Sequence, residues 1–557
     1  MEALQNNILQ TEKAGAQLLV ECLAVNKVDR ISCVAGESYL AVLDALLDYP
    51  EINVTTCRHE GAAAFMAESL GKLTGRPGIC FVTRGPGACN ASIGVHTAKQ
   101  DSTPMILFMG QVARKDKGKE AFQEIDVRKV FGDLAKWATE IDDPARIPEI
   151  INRAFQVAMS GRPGPVVIGL PEDMLTEMTR VCAPPPAQRI ESHASAQDVK
   201  GIKAMLKSAS KPLAIVGGGG WTDEACNQFM DFANTNKIPV AASFRRHDLF
   251  DHNNQCYVGE LGTGPNPQLL QRVKEADVLL VVGARLSEIM TQGYTLLEDS
   301  NNAQKLIHIY PDSTELNKLY HADIAILSGM ESATTMLAGQ VRHDGRSWAD
   351  WRKSLRSEYE SWSAIDLSDR PQWDGADMTA IFAFLRDHLP KDAVVTTDAG
   401  NFSGWAQRYL RYGRPNRLLA PIAGAMGYAV PSAIAASIAH PDRLCLGLCG
   451  DGGFMMTGQD IATAIHHKAR PIIMVFNNGM YGTIRMHQER DYPGRISATG
   501  LTNPDFVALA NSYGALGLCV EDADDFKTVW DQACASDKPV LIEVRMDPRQ
   551  ITTNAGL

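Results

Sequence analysis

Nowhere in this chain do roughly 18 apolar residues follow one another without interruption, the run that a membrane-spanning helix needs. Nor do lysines and arginines gather into a block: 54 basic and 65 acidic residues are dispersed over 557 positions and leave a net charge of -11. That dispersal excludes the electrostatic footprint of a nucleic-acid or anionic-membrane binder. The 12 cysteines form no CxxC pair, the nearest two being Cys445 and Cys449. Both a zinc-ligand pattern and a disulfide framework are thereby excluded, and the cysteines are expected to be small buried hydrophobes. The opening MEALQNNILQTEKAG has no basic segment leading into an apolar one, so no targeting peptide is read and a cytoplasmic protein is expected. No solenoid repeat of short period is visible.

What the chain does have is a rhythm. At 45% apolar and 21% charged it has a globular composition, and since single cores stop growing near about 250 residues, about three or four domains are expected. Short β-branched runs alternate with helical stretches in three successive blocks. The first carries ISCVAG (31–36), INVTTC (52–57), ICFVT (79–83), MILFMG (105–110) and PVVIGLP (165–171). After a proline-rich CAPPPAQ (182–188) come PLAIVGGGG (212–220), IPVAAS (238–243), DVLLVVGAR (277–285) and KLIHIYP (305–311). A Trp-rich connection (346–362) leads to AVVTTDAG (393–400), RLCLGLCGDGG (443–453), RPIIMVFNN (470–478) and KPVLIEVRM (538–546). Continuous apolar strands separated by helices are buried on both faces, so the fold class expected is α/β, with three doubly wound parallel-sheet domains in series.

Ligands of such sheets bind beyond the carboxyl ends of the strands, and the third block is the most informative there. One strand ends in Gly450-Asp451-Gly452-Gly453 and the next in Asn477-Asn478. Glycines at that place let a backbone approach a phosphate, while Asp451 and Asn478 offer hard oxygens to Mg2+. Either half alone reads equally well as a turn. In the first block RHEGAAAFMAE (58–68) sets Glu60 at the mouth of an alanine-rich helix; the helix dipole alone welcomes such a residue.

Taken together, these segments resemble thiamine diphosphate enzymes. The spacing of Gly450-Asp451-Gly452 and Asn477-Asn478 is similar to that family's metal signature, which implies Asp451, Asn478 and the carbonyl of Met480 as Mg2+ ligands. The segment around Glu60 resembles the one that presents a carboxylate to N1' of the cofactor's pyrimidine, which implies a catalytic, buried Glu60 that drives the 4'-imino tautomer. By the same resemblance Met426 supports the bent cofactor beside Gly424, Pro86 and Asn90 of VTRGPGACN face the pyrimidine, and Gly400, Asn401, Gly452 and Gly453 face the diphosphate. His466 and His467 read as a solvated helix end. The likeness spans almost the whole chain: a pyrimidine domain at 1–185, a middle domain at 190–345 that is similar to an FAD or nucleotide binder, and a diphosphate domain at 365–557. A homodimer or homotetramer with shared active sites is implied.

Within the family the closest likeness is to the acetohydroxyacid (acetolactate) synthase and pyruvate oxidase group. There Phe122, Gln123 and Lys136 correspond to residues at the substrate entrance, Gln123 and Lys136 as catalytic candidates, and Arg285 of GARLSE to a contact for substrate carboxylate or flavin. The departures are Glu37-Ser38-Tyr39-Leu40 for a Tyr-Pro-Gly-Gly turn, His487 for a tryptophan that selects the acceptor, and Tyr310 for an acid in the middle domain. FAD, ADP and an empty middle site all stay open. The expected activity is a carboligase that decarboxylates a 2-oxoacid such as pyruvate and passes the enamine to a second carbonyl. A non-ligating decarboxylase, a lyase of 2-hydroxyketones or 2-hydroxyacyl thioesters, and a non-catalytic cofactor-binding subunit are the alternatives.

Overall fold

The computed structural model describes residues 12–297, 304–343, 346–368 and 371–553; of the opening segment read above for targeting signals, residues 1–11 lie outside this set. The chain divides into two compact units, Met1–Ile190 and Glu191–Leu557, and the division falls in the irregular stretch that follows the proline-rich segment.

The first unit is built on strands β1 (Arg30–Cys33), β2 (Asn53–Thr56), β3 (Gly78–Val82), β4 (Met105–Gln111), β5 (Trp137–Glu140) and β6 (Pro165–Pro171). All are parallel, in the order β2-β1-β3-β4-β6-β5. Strands β3, β4 and β6 are buried along their whole length, as a sheet covered on both faces requires. Phe81 and Phe108 stack across β3 and β4 with ring centroids 4.6 Å apart, and each such buried ring contributes about 1.5–3 kcal/mol. The alanine-rich character of the helix Glu60–Thr74 has a packing cause. It lies so close to the helix Gly85–Asp101 that a Cβ at Gly94 would come within 2.4 Å of the Ala64 Cβ.

The second unit holds two sheets. Its first consists of β7 (Pro212–Val216), β8 (Val240–Ser243), β9 (Tyr257–Leu261), β10 (Val278–Val282), β11 (Lys305–Tyr310) and β12 (Ile324–Leu327), ordered β9-β8-β7-β10-β11-β12. This is the strand order of dinucleotide-binding folds, with its switch point between β7 and β10. The second sheet has β13 (Val394–Thr397), β14 (Arg417–Leu419), β15 (Cys445–Gly450), β16 (Ile472–Asn477), β17 (Leu516–Val520) and β18 (Val540–Arg545), ordered β14-β13-β15-β16-β18-β17. That order repeats the topology of the first unit's sheet and puts the switch point between β13 and β15.

The Trp-rich connection is an anchored helix, Ala349–Trp362. Its Trp351 indole and the Trp348 indole just before it donate to the carbonyls of Pro212 and Ala209, each at 2.9 Å. Asp248, fully buried, meets Arg417 at 3.1 Å and Arg246 and Arg414 at 3.8 Å, joining the two sheets of this unit. The three guanidiniums hold the Asp248 carboxyl down to about 2, while burial and the neighbouring arginines bring Arg417 down to about 10.

Two readings need correction. The strands β5, β9, β12, β14 and β17 were not foreseen, and each lies at an edge of its sheet. The cysteines are not all buried: Cys89, Cys182 and Cys534 are exposed. The stretch between the two glycine- and asparagine-rich motifs is two short helices, Asp451–Thr457 and Ile461–His466, joined by a 3-10 turn.

Candidate functional site

At the switch point of the last sheet lies a cavity of about 270 Å3. Gly400, Asn401, Gly424, Met426, Asp451, Gly452, Gly453, Asn478 and Met480 all line it, although 80 residues of chain separate the first from the last. Parallel topology is the reason, because β13, β15 and β16 deliver their carboxyl ends side by side. Asp398, just past β13, is 0% exposed and accepts hydrogen bonds from the backbone N–H groups of Ala429 (2.6 Å) and Gly427 (3.0 Å). These bonds pin the turn that carries Gly424 and Met426. Burial pushes the Asp398 carboxyl up to about 6 against the pull of those donors. A Cβ at Gly453 would come within 2.2 Å of Asp398 Oδ2, so only glycine fits where the two loops cross.

Asp451 is 2% exposed. Its Oδ1 accepts from Gly452 N at 2.8 Å, and its Oδ2 from Gly479 N at 2.9 Å and Asn503 Nδ2 at 2.8 Å. Burial raises this carboxyl above its ordinary value, with the donors opposing. Asn478 Oδ1 accepts from Met480 N at 3.1 Å, and the Met480 carbonyl accepts from Gly482 N at 2.9 Å. Carboxylate, side-chain amide and backbone carbonyl make an all-oxygen donor set, the chemistry that suits Mg2+ carrying phosphate oxygens and water. The residues fit that ion and a diphosphate.

In the first unit, Glu60 opens its helix at the carboxyl end of β2. Asn90 Nδ2 donates to Glu60 Oε2 at 2.9 Å, and a Cβ at Gly87 would lie 3.3 Å from Oε1. Pro86 sits exposed on the first turn of the same helix as Asn90. Glu60 is half-buried within its own unit, not enclosed as expected. Gln123, at φ +64°, presents its carbonyl to Gly85 N at 2.9 Å, and Phe122 beside it is 72% exposed.

Lys136 does not join this group. It precedes β5 at the amino end of the sheet, and its ammonium donates to the carbonyls of Ser160 (2.5 Å) and Arg162 (2.8 Å). Strand β4 rises seven residues between the two ends, on the order of 20 Å. Arg285 lines a separate cavity of about 170 Å3 with His308, Glu315 and Lys318. His487 lies on the helix Gly482–Asp491, one turn beyond the cavity-lining Thr483 and Ile484.

Sequence reasoning missed three contributors. Thr483 exchanges hydrogen bonds with Asn401 at 3.0 and 3.1 Å. Asn503 bridges Asp451 and Asn477. Arg84, buried, reaches across the strand ends to Glu37 at 3.2 Å and to Glu172, so that one cation is answered by two carboxylates. None had a local signal, since their partners lie dozens of residues away.

The middle sheet has a glycine-rich loop at its own switch point, and the glycines there pack closely on neighbouring strand ends. Gly217 N donates to Val282 O at 3.1 Å, and the Trp221 indole donates to Gly217 O at 2.7 Å. A Cβ at Gly217 would strike Ser243 Oγ at 2.0 Å, and one at Gly283 would strike Met330 Sδ at 2.5 Å. Tyr310, at the end of β11, is 1% exposed. At these positions the glycines serve close packing between neighbouring strand ends.

Comparison with known proteins finds matches along nearly the whole chain. Family models described as thiamine pyrophosphate enzyme N-terminal TPP binding domain, central domain and C-terminal TPP binding domain match residues 13–130, 199–337 and 398–544. An acetolactate synthase of Mycobacterium bovis is 31% identical over 545 residues, covering 95% of this chain and 87% of that protein. The acetolactate synthase isozyme 2 large subunit of Escherichia coli is 31% identical over 96% of this chain and 95% of its own length. A probable acetolactate synthase large subunit of Methanocaldococcus jannaschii is 30% identical over 96% and 92%.

Proposed function

This chain belongs to the thiamine pyrophosphate enzyme family, with relatives named acetolactate synthase along nearly its whole length, and on that premise we propose that it is a Mg2+-dependent carboligase. It decarboxylates a 2-oxoacid such as pyruvate and joins the remaining fragment to a second carbonyl. The observation that carries this reading is the convergence of Asp451, Asn478 and Met480 with the turn of Met426 in one cavity.

When bound, thiamine diphosphate supplies a carbon nucleophile and an electron sink for the carboxylate's departing pair. The chain's own part is to hold and to move protons. Asp451, Asn478 and the Met480 carbonyl would hold the cation, and the loops at Gly400 and Gly452 would receive the diphosphate. Met426, fixed by the Asp398-bound turn, would enforce the cofactor's bend. Glu60, oriented by Asn90, would exchange a proton with the pyrimidine N1'. Gln123 and Phe122 would form the entrance; Lys136, hydrogen-bonded at the other end of the sheet, is left out of that role, and Arg285 and His487 are assigned none.

We also infer a homodimer or homotetramer, which light scattering on the purified protein tests. No helix among the described residues is long and apolar enough to cross a membrane. The free cysteines support a reducing compartment, the cytoplasm. The close packing of the glycines beside Trp221 supports an enzyme without flavin, and an absorption spectrum free of flavin bands is expected.

The test is to incubate the protein with pyruvate, thiamine diphosphate and Mg2+ and to assay CO2, acetaldehyde and acetolactate separately. Carboligation yields CO2 with a condensed product. CO2 with acetaldehyde alone would replace the ligase by a decarboxylase, and no CO2 from any 2-oxoacid would overturn the reading.

A further inference from the structure

The loop that carries Met480 does not stand alone. Residues 499–501 run antiparallel beside it: Tyr481 N donates to Thr499 O at 2.9 Å, Leu501 N donates to Gly479 O at 2.8 Å, and Met480 pairs with Gly500. Two residues further on, Asn503 turns its amide inward. Its Nδ2 donates to Asp451 Oδ2 at 2.8 Å and to Asn477 Oδ1 at 2.9 Å. Asn477 in turn donates through Nδ2 to Glu543 Oε1 at 2.7 Å, and Glu543 is 2% exposed. A continuous line of hydrogen bonds therefore crosses the carboxyl ends of β15, β16 and β18, from Glu543 through Asn477 and Asn503 to Asp451.

Asn503 is itself held at both sides. The paired segment fixes the chain before it. Pro504 after it restricts Asn503 to extended backbone, and Asp505, whose side chain accepts from Ala508 N at 2.8 Å, caps the helix Phe506–Tyr513.

We propose that Asn503 is a positioning residue for the cation site: it touches no reacting atom, but orients the Asp451 carboxylate and ties it to the strand end that carries Asn478. The physical reason is the ion's intolerance. Mg2+ demands near-octahedral oxygen geometry and gives up water reluctantly, so a carboxylate free to swing is a poor ligand, and groups that orient ligands govern affinity. Two donations from one amide fix both the rotation of the carboxylate and its separation from β16.

The inference rests on reading the cavity as a cation site, and a single titration separates the two. Mn2+ is added to the full-length protein with thiamine diphosphate present, and free Mn2+ is followed by its electron paramagnetic resonance signal for wild type, Asn503→Ala and Asn503→Leu. Leucine keeps the shape and removes both donors without adding charge, so it carries the test should the alanine variant fold poorly. In both variants the dissociation constant is expected to rise by about 10- to 100-fold, with far-UV circular dichroism unchanged and turnover at saturating Mn2+ within about threefold of wild type, as expected when only ground-state binding is lost. Affinities within twofold of wild type, or turnover that saturating Mn2+ does not restore, would overturn the positioning role. Wild type that binds no Mn2+ would overturn the cation site itself.

Discussion

The two sheets of the second unit begin from the same materials and end differently. Both are six parallel strands with glycine-rich carboxyl ends at a switch point. In the last sheet the loops after β13 and β15 cross where Gly453 meets Asp398 and still border a cavity, and Gly424 has open space where a Cβ would be. In the middle sheet the loops after β7 and β10 press on each other, and Trp221, Ser243 and Met330 occupy what the glycines vacate. A glycine-rich strand end therefore specifies close approach, and the neighbouring side chains decide whether a ligand or the chain itself does the approaching. The middle sheet has the strand order of a dinucleotide binder, and its glycines are used for packing.

The comparison can be broken most sharply at the open site. Asp451→Ala removes the only carboxylate among the described residues that line that cavity and is expected to lower Mg2+-dependent turnover more than about 100-fold, since outer-shell partners alone cost 10–100-fold; steady-state rates across a Mg2+ titration check it. Asp248→Asn tests packing without ligand binding. It removes the buried anion that Arg246, Arg414 and Arg417 share, although Arg414 keeps Asp223 at 2.7 Å, so a loss of about 3–5 kcal/mol is expected in urea unfolding. Trp221→Ala should leave a void beside Gly217 at a cost of about 3 kcal/mol, and the variant should still show no flavin band; a yellow protein would mean that Trp221 alone keeps flavin out.

The smallest effect is one of pH. The Asp398 carboxyl is raised to about 6 from an ordinary 3.8, so between those values the folded chain binds more protons than the unfolded one. Its contribution is fully present below about pH 4 and is lost as pH rises through about 6, roughly 3 kcal/mol in all. Asp248, lowered to about 2, has the opposite sign and loses its contribution only as pH falls through that value. Comparing urea midpoints at pH 4 to 7 for wild type and Asp398→Asn should show the alkaline loss in wild type alone.

Much of this was legible in the sequence, for a physical reason. Central strands such as β6 and β16 are buried on both faces and read as unbroken apolar runs. Edge strands such as β17, whose LGLCV is mostly half-buried, need no such run and left no trace. Asp451, Gly452, Gly453 and Asn478 were readable because they sit directly at central strand ends, where topology gathers them. Asn503, Thr483 and Arg84 were not, because their roles exist only through partners brought near by folding. Lys136 shows the converse: the family resemblance implied the entrance, and the fold puts the side chain at the far end of the sheet. The glycines of the middle block resembled a nucleotide loop, and the packing of Trp221 against Gly217 was not readable from them.

The most direct test of the open site is calorimetric titration of thiamine diphosphate into the purified protein, with Mg2+ present or chelated, for wild type and Asp451→Ala. Saturable binding that requires Mg2+ and disappears in the variant is the expected result. Binding of equal strength without the metal, binding unchanged in the variant, or no binding by wild type would contradict the assignment of this cavity.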